Sequence, residues 1–170
     1  RMKALLRFAP LAEGEQVMVK TGLSAVDMEG ARANVEQEIP GGDFDGVRRA
    51  AAAAWNRELS RIEVRTADPV RRRVFYTGLY HALIAPTVFS DVDGRYLGMD
   101  HHIRRTKEGE TYYTIFSLWD TFRALHPLLT ILRPELNAEM IRSLIAKSEE
   151  GGIYPKWDMA SNYTGTMIGY

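Results

Sequence analysis

The chain opens with residues that alternate in polarity and then settles into a helical period. Gln16 to Ser24 sets Val17, Val19 and Thr21 against Met18 and Lys20, and this period of two predicts a half-buried strand. Lys3 to Ala9 is short and apolar and predicts another, with Gly14 permitting the reversal of a hairpin. From Ser24 the period lengthens. Ser24 and Asp27 resemble a capping box, and Met28, Ala31, Val35 and Ile39 recur at spacings of three and four up to Pro40-Gly41-Gly42. A helix is predicted from Asp43, with Phe44, Val47, Ala51, Trp55, Leu59 and Ile62 as one apolar stripe. Asp68-Pro69 starts the next. Its residues from Val70 to Ala85 are apolar on more than one side, so it is expected to pack between neighbours.

Thr87 to about Thr111 carries no period and holds Asp91, Asp93, Gly94, Gly98, Asp100, His101 and His102. Such length without periodicity marks a functional or disordered segment. Helices are expected again from Tyr113 to His126 and from Pro134, the latter with Met140, Ile141, Leu144 and Ile145 on its core face and Gly151-Gly152 as its stop. A loop with Tyr154, Pro155 and Trp157 then leads to a last helix with no stop signal before Tyr170, which reads as a truncated chain. Everything after Gly42 is thus expected to be helix or loop.

Composition narrows the function. With 22 basic and 22 acidic residues in 170, the chain lacks the basic excess of a nucleic-acid binder. It has no cysteine, which excludes disulfides, thiolate zinc sites and cysteine nucleophiles. No apolar run approaches the ~18 residues of a membrane span. Phosphate-cradling loops, dinucleotide fingerprints, nucleophile elbows and H-E-x-x-H are all absent.

The most informative stretch is Phe116 to Arg123, FSLWDTFR. At ~100° per residue, Phe116, Trp119, Asp120 and Arg123 share one arc of a helix, opposite Leu118, Phe122 and Leu125. A carboxylate and a guanidinium bond vicinal hydroxyls from both sides, and an indole covers the apolar face of a pyranose, so the arc suits a sugar. The alternative is an Asp120–Arg123 ion pair with Trp119 in the core, and the pattern alone favours that alternative. The aspartates of the long loop fail the calcium-loop spacing and read as an aspartate-glycine turn. His101 and His102 read as exposed, His81 as a core histidine, and Trp157 equally as a plug or a ligand platform.

Several motifs in one order resemble glycoside hydrolase family 92: Tyr80 to Pro86, Asp93 to Asp100, Phe116 to Arg123, Pro155-Lys156-Trp157, Ala160-Ser161-Asn162 and Met167 to Tyr170. Members are calcium-dependent exo-acting α-mannosidases that invert the anomeric centre. The resemblance implies a mainly α chain. Residues 1–24 would end an N-terminal β-sandwich, 25–66 would form a helical linker, and 67–170 would be the first part of an (α/α)6 barrel. It further implies that Trp119, Asp120, Arg123 and Trp157 line the site for terminal mannose of an α-mannoside glycan. The general acid, the general base and most calcium ligands would lie downstream of residue 170, so this piece alone is expected to be inactive. The remainder of the barrel becomes its expected partner, and secretion or a periplasmic location follows by analogy. His101 and His102 depart from the family, which more often has glycine after the aspartate matching Asp100. The competing expectation is a non-catalytic carbohydrate-binding or helical scaffold module.

Overall fold

The computed structural model describes residues 5–154 and 158. The chain is mainly helical, but its first twenty described residues form no strand. A single turn interrupts them, with the Glu15 amide donating to the Ala12 carbonyl at 3.0 Å. This corrects the expected hairpin, of which Lys3 and Ala4 lie outside the described residues. Alternation specifies a strand only where one face can be buried, and a lone two-stranded ribbon is not stable in water. Here Leu5, Val19 and Leu23 are all more than 70% exposed.

Helix α1 spans Met28–Glu38, and its N-cap is Asp27, whose carboxylate accepts from the Gly30 amide at 2.7 Å. Ser24 is not the cap. Its hydroxyl accepts from the Val26 amide at 2.9 Å and donates to Asp91 Oδ2 at 2.7 Å. Asn34 completes this tether, donating to Asp91 Oδ1 at 2.8 Å while its own Oδ1 accepts from the Val92 amide at 2.9 Å. The buried Asp91 thereby docks α1 and the preceding segment onto the long loop. Gly30 is small because it must be: a Cβ there would stand 2.2 Å from Asp91 Oδ2 and 2.8 Å from Ser24 Oγ. Gly30→Ala is therefore expected to cost about 1–3 kcal/mol, despite the better helix propensity of alanine. Urea unfolding of the variant checks this, and an unchanged midpoint would show that the tether yields without cost.

Helix α2, Phe44–Leu59, is capped by Asp43 and ends before Ile62, while α3, Pro69–Ala82, is capped by Asp68. Trp55 meets Tyr80 with ring centroids 4.5 Å apart. The Tyr76 hydroxyl donates to the Ile62 carbonyl and accepts from the Val64 amide, pinning the connection between the helices. Only Leu79 of α3 is buried, and Val70 and Val74 are about two-thirds exposed. The expected packing between neighbours, and the core setting for His81, are not found. Among the described residues α2 packs against one side of α3. The same openness shows in the total exposed surface, 12770 Å², against about 8,500 Å² for a folded monomer of this mass.

Two small antiparallel ladders run through the stretch expected to be irregular and into the start of the helix expected from Tyr113. Strands β1 (Thr87–Val88) and β4 (Tyr113–Thr114) pair in the register Thr87↔Thr114. Strands β2 (Arg95–Leu97) and β3 (Ile103–Arg105) pair with Tyr96 opposite Arg104. Two or three residues are too few to display a period, which is why the pattern hid them. Asp91-Val92-Asp93-Gly94 is a turn, as expected from its aspartates and glycine, with Gly94 at φ +84°.

The chain then forms α4 (Leu118–Thr121), α5 (Leu125–Leu132) and α6 (Pro134–Gly151), in place of one continuous helix over Tyr113 to His126. Phe116, Leu129 and Met140 make the buried core, flanked by Leu83, Tyr113, Leu118, Leu125, Leu136 and Leu144. Gly152 ends α6 in the left-handed region, as its sequence predicts. The buried face of α6 is rotated from the expected one. Asn137, Met140, Ser143 and Lys147 point inward, while Ile141 and Ile145 are exposed. Each inward polar group has a partner: Asn137 bonds His126, Ser143 accepts from the Tyr113 amide, and Lys147 pairs with Asp158. Satisfied polar groups can occupy a core face that composition alone would assign to isoleucine.

Candidate functional site

Trp119 and Asp120 stand on α4, and Arg123 lies in the turn that follows it. All three are exposed, Trp119 by 45%. Phe116 does not share their arc. The helix begins only at Leu118, and Phe116 lies before it, 2% exposed in the core. Phe122 keeps helical φ and ψ after α4, so the backbone leaves Arg123 in i,i+3 position for an ion pair with Asp120. Among the described residues that pair does not form. Asp120 accepts a hydrogen bond from the Ser117 hydroxyl, and the Arg123 guanidinium sits 5.3 Å from the centroid of the Phe122 ring. Among the described residues, the alternative of a buried Trp119 with an Asp120–Arg123 bridge thus gives way to a half-exposed indole, a carboxylate and a guanidinium on one short segment. Such a set offers acceptors, donors and an apolar plate to a polyhydroxyl ligand. Trp157 lies outside the described residues.

What holds this segment was not foreseen from the sequence. Asp158 accepts from the Phe116 amide at 2.6 Å and from the Thr114 hydroxyl at 3.0 Å, and it pairs with Lys147 Nζ at 3.0 Å. Both charged side chains are essentially sealed from solvent. Lys147 also lies 4.0 Å from the centroid of the Tyr112 ring. Burial pushes the Lys147 ammonium below the usual lysine range, and the Asp158 charge opposes that shift. Beside it, Tyr96 and Tyr112 stack at 3.8 Å, and both hydroxyls donate to Glu150. Burial, together with the Glu150 charge, raises both tyrosines above the usual phenol range. One signal was available: Lys147 follows Met140 and Leu144 at helical spacing, and a lysine on a core stripe requires a carboxylate partner.

The loop aspartates are bracing groups. Arg95 bridges Asp27 and Asp93, each at 2.6 Å, and Asp100 pairs with Arg104 at 2.5 Å and with His102 at 3.1 Å. The Arg104 hydrogen bond holds the Asp100 carboxyl well below the usual carboxylate range. His101 and His102 are exposed, as expected. Among the described residues no group of three or more carboxylate or imidazole side chains is placed to hold a metal ion. No described helix is long and apolar enough to cross a membrane. A cleft of about 860 Å³ runs between the segment before α1 and the ladders, reaching Met99, Ile115, Lys147 and Asp158. Trp119, Asp120 and Arg123 do not line it.

Comparison with known proteins finds relatives over most of the chain. The family model for the glycosyl hydrolase family 92 catalytic domain matches residues 30–170. Among solved structures, a family 92 α-mannosidase from Bacteroides thetaiotaomicron is 41% identical with a TM-score of 0.79, over 86% of this chain and 20% of its own. That protein has also been solved in complex with mannoimidazole. A family 92 inverting mannosidase from the same species is 33% identical with a TM-score of 0.76, again over 86% of this chain and 20% of its own. An uncharacterized secreted glycosidase of Arthroderma benhamiae is 33% identical over 86 residues, 48% of this chain and 11% of that protein. The chain therefore spans about a fifth or less of the length of these relatives.

Proposed function

This chain belongs to glycoside hydrolase family 92, and from that premise we propose that the full-length protein hydrolyses terminal, non-reducing α-linked mannose with inversion. The observation that carries the reading is the exposed trio Trp119, Asp120 and Arg123, where a carboxylate and a guanidinium stay separate instead of neutralising each other. In this reading Trp119 covers the apolar face of the terminal mannose, and Asp120 and Arg123 bond its hydroxyls, with Trp157 contributing a second aromatic surface. Support comes from the mannoimidazole complex of one relative and the inverting chemistry named for another.

Inversion needs an acid on the leaving oxygen and a base on water, about 6.5–9.5 Å apart on opposite sides of the bond. Asp120 is a gripping group in this reading, and the acid and base come from residues after 170. Calcium belongs to that other part of the protein as well. In this reading residues 25–66 link, and 67–170 begin an (α/α)6 barrel whose remainder covers the open face of α3. Secretion or a periplasmic location fits the secreted relative.

The test is to follow mannose released from an α-mannoside by the full-length protein, with the first anomer read by NMR. β-Mannose appearing first is the expected result, since inversion converts the α linkage. α-Mannose first would replace inversion with retention. Sugar binding without any release would favour a non-catalytic carbohydrate module.

A further inference from the structure

The chain enters the candidate site through a residue in an unfavourable conformation. Ile115 has φ +64°, a region in which a β-branched side chain crowds its own backbone. Nothing about its burial compensates, because Ile115 is 44% exposed. A strained residue of this kind persists only when its surroundings over-determine it, and such residues gather at functional sites. The surroundings here are specific. Asp158 accepts from Thr114 on one side of Ile115 and from Phe116 on the other, 3.0 and 2.6 Å away. Lys147, itself 2% exposed, pairs with the same carboxylate at 3.0 Å and holds it in place. Ser117 provides no side-chain cap to α4, so the short helix depends on this anchorage for its direction.

We propose that Asp158 is a positioning residue for the sugar site, holding the Thr114 hydroxyl and the Phe116 amide on either side of Ile115 so that Trp119 and Asp120 meet the ligand at a fixed angle. Asp158 touches no sugar in this account. It acts through the turn at Ile115. The inference rests on the mannoside-binding reading above.

The test is a double-mutant cycle on the full-length protein, with mannoimidazole as the calorimetric probe and thermal unfolding followed in parallel. Asp158→Asn is expected to weaken binding about tenfold, because a displaced contact group loses much of its effect. Combined with Trp119→Ala, it is expected to add clearly less than that factor, because the clamp works through the ring already removed. If Asp158→Asn does not yield folded protein, Thr114→Val removes a single leg of the clamp and is read in the same cycle. Losses that multiply independently, or unchanged affinity in the Asp158 or Thr114 variant, would overturn the positioning role while leaving the sugar site standing. Unchanged affinity in Trp119→Ala would overturn the sugar site, and the clamp with it.

Discussion

Asp120→Ala in the full-length protein is expected to lower kcat/KM for an α-mannoside by about a hundredfold, and to leave the unfolding midpoint nearly unchanged. The carboxylate is exposed and, among the described residues, its side-chain hydrogen bond is to Ser117, so its removal disturbs no packing there. Its proposed work is to accept hydrogen bonds from two sugar hydroxyls. A charged acceptor is worth about 1.5–3 kcal/mol per bond, so losing two contacts of the weaker kind gives the stated factor. Asp120→Asn keeps one acceptor oxygen and is expected to lose about tenfold. Because the grip acts before and during bond cleavage, most of the loss should appear in KM, with kcat changed less. Steady-state kinetics with thermal unfolding checks both parts. A large fall in the midpoint together with unchanged kinetics would make Asp120 a structural residue.

The second large effect concerns Lys147. Lys147→Met leaves the sealed Asp158 carboxylate without its counter-charge, and breaking a buried pair in this way costs about 3–5 kcal/mol. Against a typical domain stability of about 5–15 kcal/mol, that is enough to lower the urea midpoint markedly with little change in slope. The pH dependence carries a definite sign. Burial depresses the folded-state pKa of Lys147, so between that value and the ordinary 10.5 the unfolded chain binds more protons than the folded one. Wild-type stability should therefore gain a positive contribution as pH rises through this window. Lys147→Met should lack that contribution. A variant as stable as wild type, with the same pH slope, would show the pair to be dispensable.

The parts of the fold that were legible in the sequence are those set by neighbours along the chain. Asp43 and Asp68 cap their helices, Pro134 opens α6, and Gly152 closes it, because each signal acts within one turn. Ser24 misled for a related reason. Its spacing to Asp27 imitates a cap, but its hydroxyl is taken by Asp91, 67 residues away. The strands expected before residue 25 failed because alternation describes a face and not the surface that would bury it. The face of α6 was misplaced because Lys147, Ser143 and Asn137 are polar, and their partners come from separate segments.

The candidate site shows the same division. The motif from Phe116 to Arg123 was readable as a unit, and the family resemblance that it helped to establish is met by the match over residues 30–170. Its geometry was not readable, since a helical arc from Phe116 to Arg123 assumes a helix two residues longer at each end than the one-turn α4. Periodicity carries no sign of the kink at Ile115, and the Asp158 carboxylate that spans it is 42 residues from Phe116.

The most direct test of the central claim is a crystal structure of the full-length protein with mannoimidazole bound. The account predicts the sugar ring against the Trp119 indole at about 3.5–4.0 Å, with Asp120 and Arg123 hydrogen-bonded to its hydroxyls. A ligand seated elsewhere, with these three side chains facing solvent or another part of the protein, would contradict it.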